Sequence, residues 1–251
     1  MVVAARPFCR VAPAALICNR CGLKTMTTRF VPRIRPVFLF VFLLLAVIGS
    51  LRAETYTVDA FGDSITAGWV GYTKDGNGCV GCGGYEPTLQ TLLKGSGRDA
   101  VVKNWGKGGE STSSGASRIP KVLSLDNPRY VLLMEGTNDL LFLSPDTVRR
   151  NMAYMVDVSL SRGVVPILGT ITPDSRGGKP IAETNKELKK LAVEKDIALA
   201  DHYNALKDNW SSLTADGLHP NSAGYQKMAQ VWFDAMKMVD ITPILMLLLD
   251  E

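Results

Sequence analysis

The sequence predicts an α/β protein built on a five-stranded parallel sheet with helices on both faces. Three observations lead there. Along residues 54–251, short apolar runs alternate with amphipathic helical patterns, so successive strands need crossover connections and lie parallel. The chain has no internal repeat and no low-complexity tract, which sets aside solenoids and disordered arrays. An apolar fraction of 46% with 21% charged residues is that of a globular protein, and residues 54–251 are enough for one domain with a full core.

The elements follow in order. Residues 56–61 read as a first strand, and 85–93 as a helix with Leu89, Leu92 and Leu93 on one side. A second strand is expected over 100–104, and a short helical stretch over 119–125 stopped by Asp126-Asn127-Pro128. Tyr-Val-Leu-Leu-Met at 130–134 is a third, buried strand. Ser144-Pro145-Asp146 is a helix start, with a capping hydroxyl, a proline at the first position and an acid in the first turn; that helix runs to about Ser161 and ends at Gly163. A fourth strand covers 164–168, a charged amphipathic helix 181–193 and a fifth strand 197–200. The last helix starts near Asn221 and carries Tyr225, Met228, Trp232, Ala235, Met236 and Val239 at helical spacing.

The amino-terminal residues read as an address. Arg29, Arg33 and Arg35 precede the uncharged run VFLFVFLLLAVIG at 37–49, and Leu51-Arg52-Ala53 follows. That is the order of a secretory signal peptide, and the run is short of the ~20 residues that span a bilayer comfortably. Export to the periplasm or the medium is therefore expected, with cleavage after Ala53 and membrane contact only through this segment if it is retained. Met26 makes a better start than Met1, which would make the first 25 residues a mis-called beginning. Within them, Cys18 and Cys21 could form half a zinc site but have no second pair of ligands nearby.

Charge narrows the partners. The whole chain is at +4, but residues 1–53 hold eight Arg/Lys and no acid, which leaves 54–251 at −4. A phosphate backbone needs a basic face, so nucleic acid is not the expected partner.

Parallel sheets place their chemistry beyond the carboxyl ends of the strands. Gly62-Asp63-Ser64 follows the first strand, and Asn104-Trp105-Gly106-Lys107-Gly108-Gly109-Glu110-Ser111 follows the second. Gly136-Thr137-Asn138-Asp139 follows the third, and Asp216-Gly217-Leu218-His219-Pro220 precedes the last helix. The glycine-rich stretch lacks both the P-loop ending and the dinucleotide spacing, so nucleotide binding is a poor reading. Together the four segments supply a hydroxyl, a loop of backbone donors, a side-chain amide and an acid three residues before a histidine. In a turn-like stretch that acid can reach the imidazole. These are the parts of acyl transfer: nucleophile, base, orienter and oxyanion donors.

In this order the four segments resemble the four blocks of the SGNH (GDSL) hydrolase family, over about 56–239. The resemblance puts Ser64 on the family's nucleophile, Gly109 on its block-two glycine, Asn138 on its asparagine, His219 on its base and Asp216 on the third triad member. Ile65 replaces the leucine of the family's name. The implied fold is a flavodoxin-like three-layer α/β/α sandwich, with the third strand crossing to the far side of the first. The implied mechanism is serine ester hydrolysis through an acyl-enzyme. The oxyanion would be held by the N–H groups of Ser64 and Gly109 and the amide of Asn138. No spacing implies a metal or organic cofactor.

The remaining residues have plainer readings. His202 follows a strand, but adjacent to Asp201 it lacks the reach of the Asp216–His219 pair. Asp63 and Asp139 are expected to fix loops by accepting backbone hydrogen bonds. Cys79 and Cys82 are a candidate disulfide in a glycine-dense insertion, 71–84, that is either a cleft wall or a surface loop. The loop 171–180 reads as a solvated connection that could also line the cleft. The apolar tail 241–249 is expected to pack on the sheet or core. The expected function is an exported esterase acting on a small-molecule, lipid or sugar ester. Open beside it are carbohydrate O-acetylesterase, O-acyltransferase and, further off, a non-catalytic binding module on the same scaffold.

Overall fold

Strand periodicity divides the apolar residues between two cores. In the computed structural model of the protein, which describes residues 54–70 and 83–249, the elements run β1 (Tyr56–Gly62), α1 (Glu86–Gly95), β2 (Ala100–Gly106), α2 (Thr112–Asp126), β3 (Tyr130–Met134), α3 (Pro145–Ser161), β4 (Val165–Gly169), α4 (Ile181–Glu194), β5 (Leu199–Ala200), α5 (His202–Leu206), a 3-10 turn (Lys207–Asn209), α6 (Trp210–Leu213) and α7 (Ser222–Leu249). Val58 and Ala60 of β1 join Tyr130, Leu132 and Met134 of β3 in one core, under α1 and α7. Phe61, Val131 and Leu133 point the other way, into a core closed by α2, α3 and α4. Both faces are thus covered, as a parallel sheet requires.

The strand order is β2-β1-β3-β4-β5, all pairs parallel. The chain steps outward from β1 to β2, then returns across β1 to β3. The order reverses between β1 and β3, and at that point neighbouring crossovers leave a crevice beyond the carboxyl ends of the strands. The expected crossing of the third strand to the far side of the first is present.

The helices carry the expected caps and packing. Ser144 accepts from the Thr147 N–H at 3.2 Å with Pro145 in the first turn, fixing the start of α3. Tyr225, Met228, Trp232, Ala235 and Met236 of α7 are all buried. At roughly 2 kcal/mol for each large apolar side chain buried, this one face contributes a large part of the stabilisation of the sheet's α7 side.

Several elements differ from the sequence expectation. The helix expected over 119–125 begins at Thr112, because Ser111 caps it, and its Gly115 packs where a Cβ would meet Phe61 and Glu135 at 3.2–3.3 Å. The last strand is two residues long, and the short helices over 202–213 have too few turns to show a period; α5 is set by Asp201, whose carboxylate accepts from the Asn204 N–H at 3.2 Å. The last helix continues to Leu249 instead of ending before a separate tail. Among the described residues no helix is long and apolar enough to cross a membrane. The signal segment, Cys79 and Cys82 with most of their insertion, and the side chains of 241–249 lie outside the described residues.

Candidate active site

The site is assembled where strands β1, β2 and β3 end. After β1 the backbone winds into a tight turn, with the Ala67 N–H bonded to the Asp63 carbonyl at 2.9 Å and the Trp69 N–H to the Ser64 carbonyl at 3.1 Å. The Asp63 carboxylate caps this turn by accepting from the Ile65 N–H at 2.9 Å. Burial pushes its pKa up to about 7, against the pull of that N–H. The turn is pressed against the end of β2: a Cβ on Gly106 would meet Ala67 N at 2.1 Å, so only glycine fits. Ser64 is thereby held rigidly at the mouth of the crevice, 7% exposed.

Ser64 Oγ lies 2.9 Å from His219 Nε2, and His219 Nδ1 lies 2.8 Å from Asp216 Oδ2. The second Asp216 oxygen accepts from the backbone N–H groups of Leu218 (2.9 Å) and His219 (2.7 Å). Asp216 therefore shapes the turn that carries the histidine and also faces its ring. Burial raises the Asp216 pKa, but these donors outweigh it and hold the carboxyl below its usual value. Trp69 stacks beside the imidazole at 6.0 Å between ring centroids. Thr214 Oγ1 and the Ala215 N–H both donate to the His219 carbonyl at 2.9 Å, tying down the backbone as well.

The glycine-rich stretch and the third segment meet across the crevice. The Lys107 N–H bonds the Gly62 carbonyl at 2.8 Å, bringing the loop after β2 over the Ser64 turn. Gly109 sits at φ +73°, a backbone conformation that side chains rarely adopt. Asn138 Nδ2 donates to the Glu110 carbonyl at 2.9 Å. One amide hydrogen is used there; the second remains on a side chain that lines the cleft beside Gly109. Asp139 accepts from the Thr112 N–H at 2.9 Å and from its hydroxyl at 2.7 Å, joining this segment to the start of α2. Asp63 and Asp139 are thus the loop-fixing acids the sequence suggests.

All five residues expected to act together, Ser64, Gly109, Asn138, Asp216 and His219, line one cleft of about 400 Å³. His202 does not join them. It is fully buried with its ring edge-on to Trp232 at 4.6 Å, its nitrogens have no hydrogen-bond partner among the described residues, and burial pushes its pKa down to about 3. A larger open groove of about 650 Å³ lies along α4 and α5, lined by Lys186, Lys189, Val193 and Tyr203 among others. None of its lining residues forms a nucleophile–base pair, so chemistry and not size selects the smaller cleft. Among the described residues no three His, Cys, Asp or Glu side chains group as a metal cage.

Sequence reasoning missed several residues of the cleft wall. Trp69, Leu141, Phe142 and Leu218 line it, with Leu141 60% and Phe142 84% exposed at its mouth. The loop after β4, read as a solvated connection that could also line the cleft, does line it, through Arg176 and Lys179. The one signal available was position, since each of these except Leu218 lies within about ten residues after a strand end. A hydroxyl, imidazole and carboxylate in line, beside backbone and amide donors, can transfer a proton off the hydroxyl and accommodate negative charge on a neighbouring oxygen.

Residues 60–227 match the model of the GDSL-like Lipase/Acylhydrolase family. Esterase TesA of Pseudomonas aeruginosa is 26% identical over 185 residues, covering 72% of this chain and 88% of that protein. Thioesterase 1/protease 1/lysophospholipase L1 of Escherichia coli K12 is 27% identical over 187 residues, covering 72% and 83%. Among solved structures, the lipase/acylhydrolase from Enterococcus faecalis superposes with a TM-score of 0.61 at 26% identity, covering 72% of this chain and 95% of that one.

Proposed function

The chain belongs to the GDSL-like lipase/acylhydrolase family and is a hydrolase of ester bonds, and from that premise we propose that it is an exported serine esterase working through Ser64, His219 and Asp216. In this reading Ser64 attacks the ester carbonyl while its proton passes to His219 Nε2. Asp216 holds the imidazole in the tautomer that leaves Nε2 free to accept, and stabilises the imidazolium as it forms. The oxyanion is received by the N–H groups of Ser64 and Gly109 and the free amide hydrogen of Asn138. Each such donor is worth about 3 kcal/mol in the transition state. The alcohol leaves with the proton from His219, and water, deprotonated by the same base, releases the acid from the acyl-enzyme.

The observation that carries this reading is the line from Ser64 Oγ to His219 Nε2 (2.9 Å) and from His219 Nδ1 to Asp216 Oδ2 (2.8 Å). A buried serine and histidine separated by 155 residues are brought into hydrogen-bond contact at the one crevice where this topology places ligands. The apolar mouth formed by Leu141 and Phe142 suits the acyl or aryl part of a small ester. Export rests on the basic, apolar and small residues over 29–53.

The test is a fluorophosphonate label combined with a p-nitrophenyl ester panel. Wild type takes one label on Ser64 and turns over at least one ester; Ser64→Ala takes none, and kcat falls at least about a thousandfold. A Ser64→Ala chain that keeps the wild-type rate would refute the assignment.

A further inference from the structure

The loop between β4 and α4 contains a nearly buried ion pair that the mechanism above does not use. Asp174 and Lys179 have side chains 2% and 8% exposed, with Lys179 Nζ 3.0 Å from Asp174 Oδ2. The same ammonium donates to the Thr137 carbonyl at 3.1 Å, and Thr137 immediately precedes Asn138. One residue beyond Asp174, the Ser175 N–H donates to the Gly217 carbonyl at 2.9 Å, and Gly217 immediately follows Asp216. Asp174 is itself locked by the N–H and guanidinium of Arg176, at 2.9–3.0 Å.

These bonds form one chain of contacts from the Asn138 segment to the Asp216–His219 turn. Among the described residues, no hydrogen bond joins 136–139 directly to 214–219. The two segments come from β3 and from the stretch before α7, on either side of the crevice, and nothing in the sheet's own bonding sets their separation. A charge pair out of water is a stiff link: Asp174 is held from both sides by Arg176 and Lys179, and without it the nearly buried Lys179 ammonium has no carboxylate partner. We infer that the Lys179–Asp174 pair is a positioning device for the active centre: it holds the Asn138 amide and the Asp216–His219 turn at the spacing that the transition state needs. The inference rests on the catalytic roles proposed above. Lys179 is a positioning residue here, acting through Asn138: it sets the amide's place relative to the Asp216–His219 turn, which the Ser175–Gly217 bond holds.

The experiment uses the full chain and a p-nitrophenyl ester that wild type hydrolyses. Lys179→Met, Asn138→Ala and the double variant are compared for kcat and KM, with chemical denaturation confirming that each is folded. Lys179→Met should lower kcat about tenfold to a hundredfold, as misplacement by an ångström can, with KM within about twofold. In the Asn138→Ala background, already lowered about a hundredfold or more, the same change should cost less than about threefold, because the group it positions has gone. A merely structural residue would show neither the kcat-only loss nor this non-additivity. The inference is overturned if Lys179→Met keeps kcat within twofold, if it raises KM with kcat unchanged, or if its full loss persists without Asn138. Should Lys179→Met fail to fold, Asp174→Asn is read by the same criteria. Wild type that takes no label on Ser64 sinks the proposed function; where wild type labels and turns over, these variants test the ion pair alone.

Discussion

Replacing Asp216 by asparagine separates the two tasks that its carboxylate performs. Oδ1 accepts from the Leu218 and His219 N–H groups, which builds the turn, and Oδ2 faces His219 Nδ1 at 2.8 Å. An asparagine keeps an acceptor for the backbone but presents an N–H₂ group to the ring. Two donors cannot share that contact, so the imidazole must move its proton to Nε2 and accept at Nδ1. The Nε2–H then faces Ser64 Oγ across 2.9 Å, and no lone pair is left to take the serine proton. The same change in a deeply buried triad costs about 10⁴ in kcat. Asp216 is 27% exposed on its side chain, so water screens part of the lost charge. The expected loss is therefore about 10³, or roughly 4 kcal/mol at 1.36 kcal/mol per decade. Thermal unfolding should barely move for Asp216→Asn, whereas Asp216→Ala also strands two backbone N–H groups and should lose about a further 1–2 kcal/mol of stability. Steady-state esterase kinetics with both purified variants, alongside their melting curves, make the comparison. A folded Asp216→Asn enzyme within tenfold of wild type would show that the Trp69 stack and the turn alone orient the ring, and the tautomer argument would fail.

Three further outcomes are expected. Glu86 is almost fully buried, without a hydrogen-bond partner among the other described residues, and burial raises its pKa to about 8. An acid raised in the folded state contributes most below its unfolded value and loses that stability as pH rises; Glu86→Gln should thus gain about 3–4 kcal/mol on wild type between pH 5 and pH 8 in urea titrations, and an unchanged difference would refute the assignment. His202 runs the opposite way: depressed to about 3 by burial, it costs about 3 kcal/mol as pH falls from 7 to 4, a loss that His202→Leu should remove and that would otherwise persist in the same titrations. Asp139→Ala strips the Thr112 N–H and hydroxyl of their acceptor and should lower stability by about 2–3 kcal/mol in denaturant melts, with a smaller kcat because Asn138 is the next residue; a melt within about 0.5 kcal/mol of wild type would count against this role.

The fold was legible wherever burial imposes a period. Tyr130–Met134 reads as a buried strand because all five side chains are enclosed by the two cores, and α7 reads as a helix because Tyr225, Met228, Trp232 and Met236 share one face. Legibility failed where a single contact decides the local structure. The start of α2 depends on the Ser111 cap and on space for a Cβ-free residue beside Phe61, which no local pattern announces. The helices over 202–213 are four or five residues each, shorter than the window in which a period can be recognised.

The site divides along the same line. Ser64, Gly109, Asn138, Asp216 and His219 stand out as candidates because each lies in a short run whose chemistry is visible, and the first three runs each follow a strand. A parallel sheet with its reversal between β1 and β3 then needs no further information to bring the first three runs to one rim. What that topology does not set is the distance across the crevice to the Asp216–His219 turn. That distance depends on Ser175 against Gly217 and Lys179 against Thr137, in a loop whose sequence shows charge, glycine and proline but no motif. Polar residues in such a loop look solvated until the fold places a carbonyl opposite each of them. The candidate reacting groups are therefore written locally, and the spacing that brings them to one cleft is written in the long-range partners of a loop without a recognisable motif.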